Sequence, residues 1–187
     1  MKMEERRENQ RVRLTKRLLR ESLLTCMQEK PLERISVKEL CERAGVNRST
    51  FYLHYDTQND LMREMEDDAI LQTQKQLQNV SPDIGTMRCI AAFLQYVREN
   101  GVLFRALLCQ PGRDSFRSRF IAESLAYVKP GIMLEPGEPL SDYIYAFLLN
   151  GSLAVIQSWA ASGFLLPAEQ IAGLIFRLSD RSLAGYR

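Results

Sequence analysis

Residues 36–55 read SVKELCERAGVNRSTFYLHY, and this stretch decides the fold. Ser36 and Glu39 have the spacing of a capping box, hydroxyl and carboxylate each placed to satisfy an exposed amide of a first helical turn. Val37, Leu40, Cys41 and Ala44 recur at helical spacing and predict the buried face of a short helix. Gly45 follows, the residue type that most readily takes the left-handed backbone ending a helix. Asn47 can then cap a second helix reaching about Tyr55. Two short helices across the tight turn at 44–47 are the pattern of a helix-turn-helix, with Val46 plugging the space between them and Phe51 as the core anchor.

The rest of that second helix carries hydrogen-bonding side chains. Its first turn suits base edges in a major groove, where Arg48 can pair with guanine and Thr50 can touch a thymine methyl. Ser49 belongs to the same turn, while Tyr52, His54 and Tyr55 suit the rim, donating to phosphate oxygens. By spacing alone a second reading stays open: an αα-hairpin whose polar face is merely hydrated. His54 by itself is equally compatible with a structural surface histidine.

Working outward, Val12, Leu19, Leu23, Cys26 and Met27 fall within about 100° of one another on a helical wheel, one apolar stripe that Pro31 terminates. Thr57 can cap a helix over about 58–79, with Asp60 in its first turn, and the run 80–85 breaks it. Further helices are expected at about 84–99, 102–110, 114–128, 141–162 and 168–183, with a proline-rich loop at 129–139. No stretch alternates with period two for long, so the expectation is an all-α protein without strands. It divides into a three-helix unit at 1–57 that holds the helix-turn-helix and a helical body at 58–187.

The chain has 187 residues, 45% of them hydrophobic and 26% charged, normal for a globular protein with a core and unlike a disordered chain. Net charge is +2, yet residues 1–20 hold eight basic and three acidic residues, while 61–187 hold 12 basic and 13 acidic. A cationic end on a near-neutral body points to an anionic partner there, against the plainer reading of a solvated helix face. Four scattered cysteines and one histidine give no disulfide scaffold and no zinc spacing, so neither metal nor cofactor is expected. The reading is reduced thiols in a cytoplasmic protein; a redox role for Cys89 or Cys109 lacks an activating environment. No phosphate loop, nucleophile motif or paired carboxylates suggests an enzyme. The charged N-terminus has no apolar core of the secretion-signal kind. From Asp142 to Glu169 no charge intervenes, but Asn150, Gly151, Ser152, Gln157 and Ser158 interrupt the run, so a partner-facing helix is expected and not a membrane span.

Within that run Gly151, Ala154, Ser158 and Ala161 form a narrow small-residue strip on which another helix can pack closely. Val155 lies beside it, and Ile171, Leu174, Ile175 and Leu178 recur on the last helix. Two such helices from each of two subunits would build a four-helix bundle; an internal core helix of a monomer is the alternative. Phe93, Tyr96, Phe104, Leu108, Tyr127, Phe147 and Trp159 could wall an effector pocket, although aromatics at helical spacing are more often plain core.

Thr15 through Leu61 resembles the DNA-binding domain of the TetR family of bacterial transcriptional regulators, carried by Thr15, the Leu19/Leu23/Met27 stripe, the run from Ile35 to Tyr55, and Asp60-Leu61. The resemblance implies an all-helical homodimer that binds a double-stranded DNA operator and associates with the nucleoid when so bound. It makes 1–57 the helix-turn-helix DNA-binding domain and 58–187 a helical regulatory and dimerisation domain, which would carry the dimer interface and a small-molecule effector. Residues 147–159 resemble the dimer helix of a subgroup that includes dihydroxyacetone-kinase-operon regulators, which implies as alternative a coregulator whose C-terminal domain binds another protein. Carried over position by position, Arg48, Ser49, Thr50 and Tyr52 match base and phosphate contacts, His54 a phosphate contact, and Ser36 the helix start against the backbone. One departure matters: Asp56 and Gln58 stand where the family commonly has cations, which shifts backbone affinity toward the basic arm before Leu14.

Overall fold

In the computed structural model the described residues are 2–78, 86–110, 112, 114–128 and 140–183, with side chains described over 10–76, 87–110, 112, 114–123 and 140–183. They form α1 (Lys2–Glu29), a 3-10 turn (Leu32–Arg34), α2 (Val37–Ala44), α3 (Arg48–Tyr52), α4 (Gln58–Gln78), α5 (Thr86–Glu99), α6 (Gly101–Cys109), α7 (Asp114–Val128), α8 (Ser141–Ala161) and α9 (Ala168–Leu183). Among the described residues there is no strand. The breaks expected at 80–85 and 129–139 lie outside them.

The chain divides into two compact units, Met1–Asp68 and Ala69–Arg187, so the first takes in the opening turns of α4. Its core explains why. Leu19, Leu23, Cys26 and Met27 of α1, Leu40 and Cys41 of α2, Phe51 of α3 and Leu61, Met62 and Met65 of α4 are all buried. Pro31 can neither donate a helical bond nor leave its predecessor helical, and α1 stops at Glu29. Lys30 still donates its amide to Cys26 O at 3.1 Å, and Leu32 and Ile35 turn into the core.

The ends of α2 and α3 are set locally. Ser36 Oγ accepts the Glu39 amide at 3.2 Å, while the Glu39 carboxylate pairs with Lys30 Nζ at 2.6 Å. Gly45 sits at φ 63°, ψ 29°, and Val46 donates its amide to Cys41 O at 3.0 Å, closing the helix end. No atom lies within 4 Å of where a Cβ would stand at Gly45, so the backbone conformation, not crowding, calls for glycine. Asn47 Oδ1 accepts the Ser49 amide at 3.1 Å and starts α3. At the head of α4 the Asp60 carboxylate accepts both the amide and the hydroxyl of Thr57, at 2.8 and 2.9 Å, and these bonds hold its carboxyl below the usual range.

In the second unit α5 packs on α9, α6 on α8, α8 on α9, and α7 on both α6 and α8. Leu94, Val97, Phe104, Leu107 and Phe116 are completely buried. The carbonyl of Leu108 accepts Arg117 Nη1 at 3.0 Å and Gln157 Nε2 at 2.9 Å, tying the end of α6 to α7 and α8. Trp159 Nε1 donates to Leu166 O at 2.9 Å, and the Phe164 ring meets the Trp159 ring edge-on at 4.9 Å. Phe164 has φ 60°, a left-handed backbone rare for an aromatic residue, and this packing holds it there.

Candidate nucleic-acid interface

α3 is only five residues long, too short to persist on its own local bonds. Phe51 fixes it: the side chain is fully buried, with ring centroids 5.6 Å from Tyr52 and 5.5 Å from Tyr55. With Phe51 turned inward, the rest of the helix is turned out. Asn47, Arg48, Ser49 and Tyr52 are exposed, Thr50 and His54 half-exposed, and Ser36 is exposed at the head of α2. Ser49 Oγ donates to Asn47 Oδ1 at 3.1 Å, which orients that cap. A row of donors and acceptors at the start of a short, rigidly anchored helix suits base edges and phosphates. Leu53, an apolar side chain among these polar ones, is 79% exposed on the same surface.

Tyr55 requires a correction. Expected at the rim, it is only 5% exposed, and its hydroxyl faces the two carboxylate oxygens of Glu64 at 3.2 Å each. It is therefore part of the packing behind the helix and not a phosphate donor. Glu64, a residue the sequence did not single out, also accepts Lys16 Nζ at 2.8 Å and Arg20 Nη2 at 2.5 Å; Arg20 reaches Asp68 as well, at 2.5 Å. Lys16 Nζ stands 5.4 Å from the Tyr55 ring centroid. One carboxylate thus joins α1, α4 and the residue that follows the recognition turn. Its partners lie 44 and 48 residues away in sequence, too far for any periodic signal.

This cluster predicts a pH dependence. Burial, and then the adjoining Glu64 charge, push the Tyr55 phenol well above its ordinary range. A proton held more tightly in the folded state makes that contribution complete below the unfolded phenol value of about 10 and loses it as pH rises beyond. Burial opposes ionisation of Glu64, but its bonds to Lys16 and Arg20 outweigh burial and hold the carboxyl below the usual range. That contribution is complete above the unfolded value of about 4.3 and is lost as pH falls below it. The urea midpoint of the N-terminal unit, followed by far-UV circular dichroism, is expected to fall on both sides of neutrality. Tyr55→Phe should flatten the alkaline side; an unchanged alkaline decline in that variant would contradict the assignment.

Of the residues expected to wall an effector pocket, three come together. Phe93, Tyr96 and Phe104 join Phe116 and Phe120 in one aromatic cluster, with centroid separations of 5.6 to 6.3 Å. Leu108 is buried at the end of α6, Trp159 packs on Phe164, and Phe147 is 70% exposed. The Tyr127 side chain lies outside the described residues. Rings meeting edge-on or tilted at these distances pack against one another.

The strip on α8 is open. Gly151, Ala154, Ser158 and Ala161 are exposed, Val155 is half-buried, and no atom lies within 4 Å of a Cβ built on Gly151. Tyr143 and Phe147 extend the same face, 75% and 70% exposed. On α9, Leu174 and Leu178 are exposed, whereas Ile171 and Ile175 are buried at 5% each. That corrects the sequence expectation: the two isoleucines turn into the protomer because α9 packs on α5 and α8. Between α8 and α9 runs an open groove of about 150 Å³ lined by Phe147, Gly151, Val155, Ile175 and Leu178. By length and composition alone α8 is apolar enough to cross a membrane. Among the described residues no group of three or more His, Cys, Asp or Glu side chains could hold a metal.

A small helical unit presenting an anchored helix-turn-helix, joined to a helical second unit, defines a DNA-binding regulator. The family model described as bacterial regulatory proteins, tetR family, matches residues 20–65, and one described as a transcriptional regulator C-terminal region matches residues 87–181. The chain belongs to the TetR family of bacterial transcriptional regulators. Solved structures share the fold at low identity. A TetR transcriptional regulator from Streptococcus agalactiae 2603V is 21% identical, covers 92% of this chain and 97% of its own, and superposes with a TM-score of 0.68. SmeT, the repressor of the Stenotrophomonas maltophilia multidrug efflux pump SmeDEF, is 14% identical over 91% and 89%, with a TM-score of 0.65. The dihydroxyacetone kinase operon activator DhaS is 14% identical over 92% and 98%, with a TM-score of 0.61. No curated protein matches at a significant level.

Proposed function

We propose that the protein acts as a homodimer reading a pseudo-palindromic operator through the outward face of α3. The observation that carries this reading is the division of α3: Phe51 fully buried, Arg48, Ser49 and Tyr52 exposed together. Arg48 reads a base edge, Ser49 and Thr50 complete the first turn, and Tyr52, His54 and the Ser36 helix start hold phosphates. Asp56 and Gln58 offer no cation at the head of α4, so the exposed Arg11, Arg13 and Arg17 of α1 carry the backbone attraction. Two copies join along the uncharged α8 strip, flanked by Leu174 and Leu178, and a pseudo-palindromic operator asks for recognition helices about 34–36 Å apart, one turn of DNA. The same pairing covers the apolar face of α8 without a membrane, in a cytoplasmic regulator.

Arg48→Ala is expected to weaken specific operator binding by roughly 1–3 kcal/mol, with scrambled DNA much less affected. Fluorescence anisotropy of the full chain on both DNAs measures this, and equal operator affinity in the variant would remove α3 from the interface.

Control of DNA binding belongs to the second unit. The packing of Phe93, Tyr96, Phe104, Phe116 and Phe120 into one aromatic cluster supports the coregulator alternative, in which that unit binds another protein. A thermal-shift panel of metabolites separates the two. A specific shift supports a small-molecule effector, and uniform silence supports the protein partner.

A further inference from the structure

Leu53 is out of character with the surface it occupies. At 79% exposure it is the most exposed large apolar side chain described in the first unit, ahead of Tyr52 at 56% and Leu14 at 47%. Its amide donates to Ser49 O at 3.2 Å and its backbone is right-handed helical (φ −71°, ψ −18°), so the helical course of α3 continues through it. At 100° per residue, Ser49 and Leu53 each stand about 160° from the inward-facing Phe51, on either side of the outward pole. Leu53 is therefore at the centre of the face and not at its edge.

A leucine there gains almost nothing from folding, since its surface stays in water. Having neither donor nor acceptor, it cannot grip a phosphate or a base edge by hydrogen bonding. The major groove presents one apolar group, the thymine C5-methyl. We propose that Leu53 is a specificity-determining residue that reads a thymine methyl in each half-site, burying its isobutyl group against that methyl. The inference rests on the reading of α3 as the operator-facing helix and adds to it a defined base preference. The contact excludes water from two apolar groups at once, so its selectivity comes from one methyl, present in thymine and lacking in the other bases.

The test removes that methyl and nothing else. Operator fragments are selected from random double-stranded DNA by the full-length protein, then remade with each half-site thymine replaced singly by deoxyuridine. Leu53→Ala leaves the core untouched, and its far-UV circular dichroism checks the fold; Thr50→Ala serves as the control for a methyl contact from the neighbouring side chain. Wild-type protein is expected to lose roughly fourfold in affinity at one thymine position. Leu53→Ala should be insensitive to deoxyuridine at that position, while Thr50→Ala retains the loss. The inference is overturned if every deoxyuridine fragment weakens wild type and Leu53→Ala alike, or if the coupling follows Thr50. Selection that yields no specific fragment would instead overturn the operator reading itself, and this inference with it.

Discussion

Phe51→Ala is expected to destabilise the N-terminal unit by about 3–5 kcal/mol, the usual cost of emptying a buried aromatic site. Specific operator binding should disappear with it. Phe51 is the inward side of a five-residue helix whose local bonds cannot hold it in place, and its ring also supports Tyr52 and Tyr55. Removing the ring opens a cavity in the unit whose core also buries Leu40 and Leu61 completely. The single tryptophan, Trp159, belongs to the second unit, which gives a direct readout. In urea, the far-UV circular dichroism of Phe51→Ala should acquire an early transition while Trp159 fluorescence keeps its wild-type midpoint. Coincident, unshifted transitions would contradict the role given to Phe51.

Gly151→Arg should dissolve the proposed dimer while leaving the protomer folded. No atom lies within 4 Å of a Cβ at Gly151, so the protomer has room for a side chain. The exposed positions along α8 after Asp142 carry no acidic residue to pair with a guanidinium. Two-fold symmetry would bring two arginines into one apolar interface, and burying unpaired charge there costs several kcal/mol. About 4 kcal/mol corresponds to a roughly thousandfold loss in dimer affinity. Sedimentation at micromolar concentration is expected to show monomers with unchanged helicity. A variant that still sediments as a dimer would place the interface elsewhere.

Where the sequence was legible, the determinants were local. Ser36, Gly45 and Asn47 act within three residues of themselves, so the turn between α2 and α3 could be read from residue type and spacing. The Leu19 and Leu23 stripe was legible because a helical period needs no knowledge of the partner. Tyr55 was not legible in the same way. Its neighbours Tyr52 and His54 face out, and only Glu64, Lys16 and Arg20, brought in from other helices, decide that it faces in. Ile171 and Ile175 share a helical face with exposed Leu174 and Leu178 by type, and the packing of α9 on α5 sorts them. The aromatic residues of the second unit show a related ambiguity, because spacing says that side chains share a face but not whether they enclose a space or fill it. Leu53 was within reach of a helical wheel centred on Phe51 and needed only the question of which apolar residue points away from the core.

In the proposed function two copies of this chain hold one stretch of DNA through paired α3 helices. The most direct measurement is sedimentation of the full-length protein with its selected operator fragment, titrated at two salt concentrations against scrambled competitor. Two protomers per fragment are expected, with affinity that survives the competitor, falls steeply with salt and is weakened by Arg48→Ala. One protomer per fragment, or equal affinity for scrambled DNA, would contradict it.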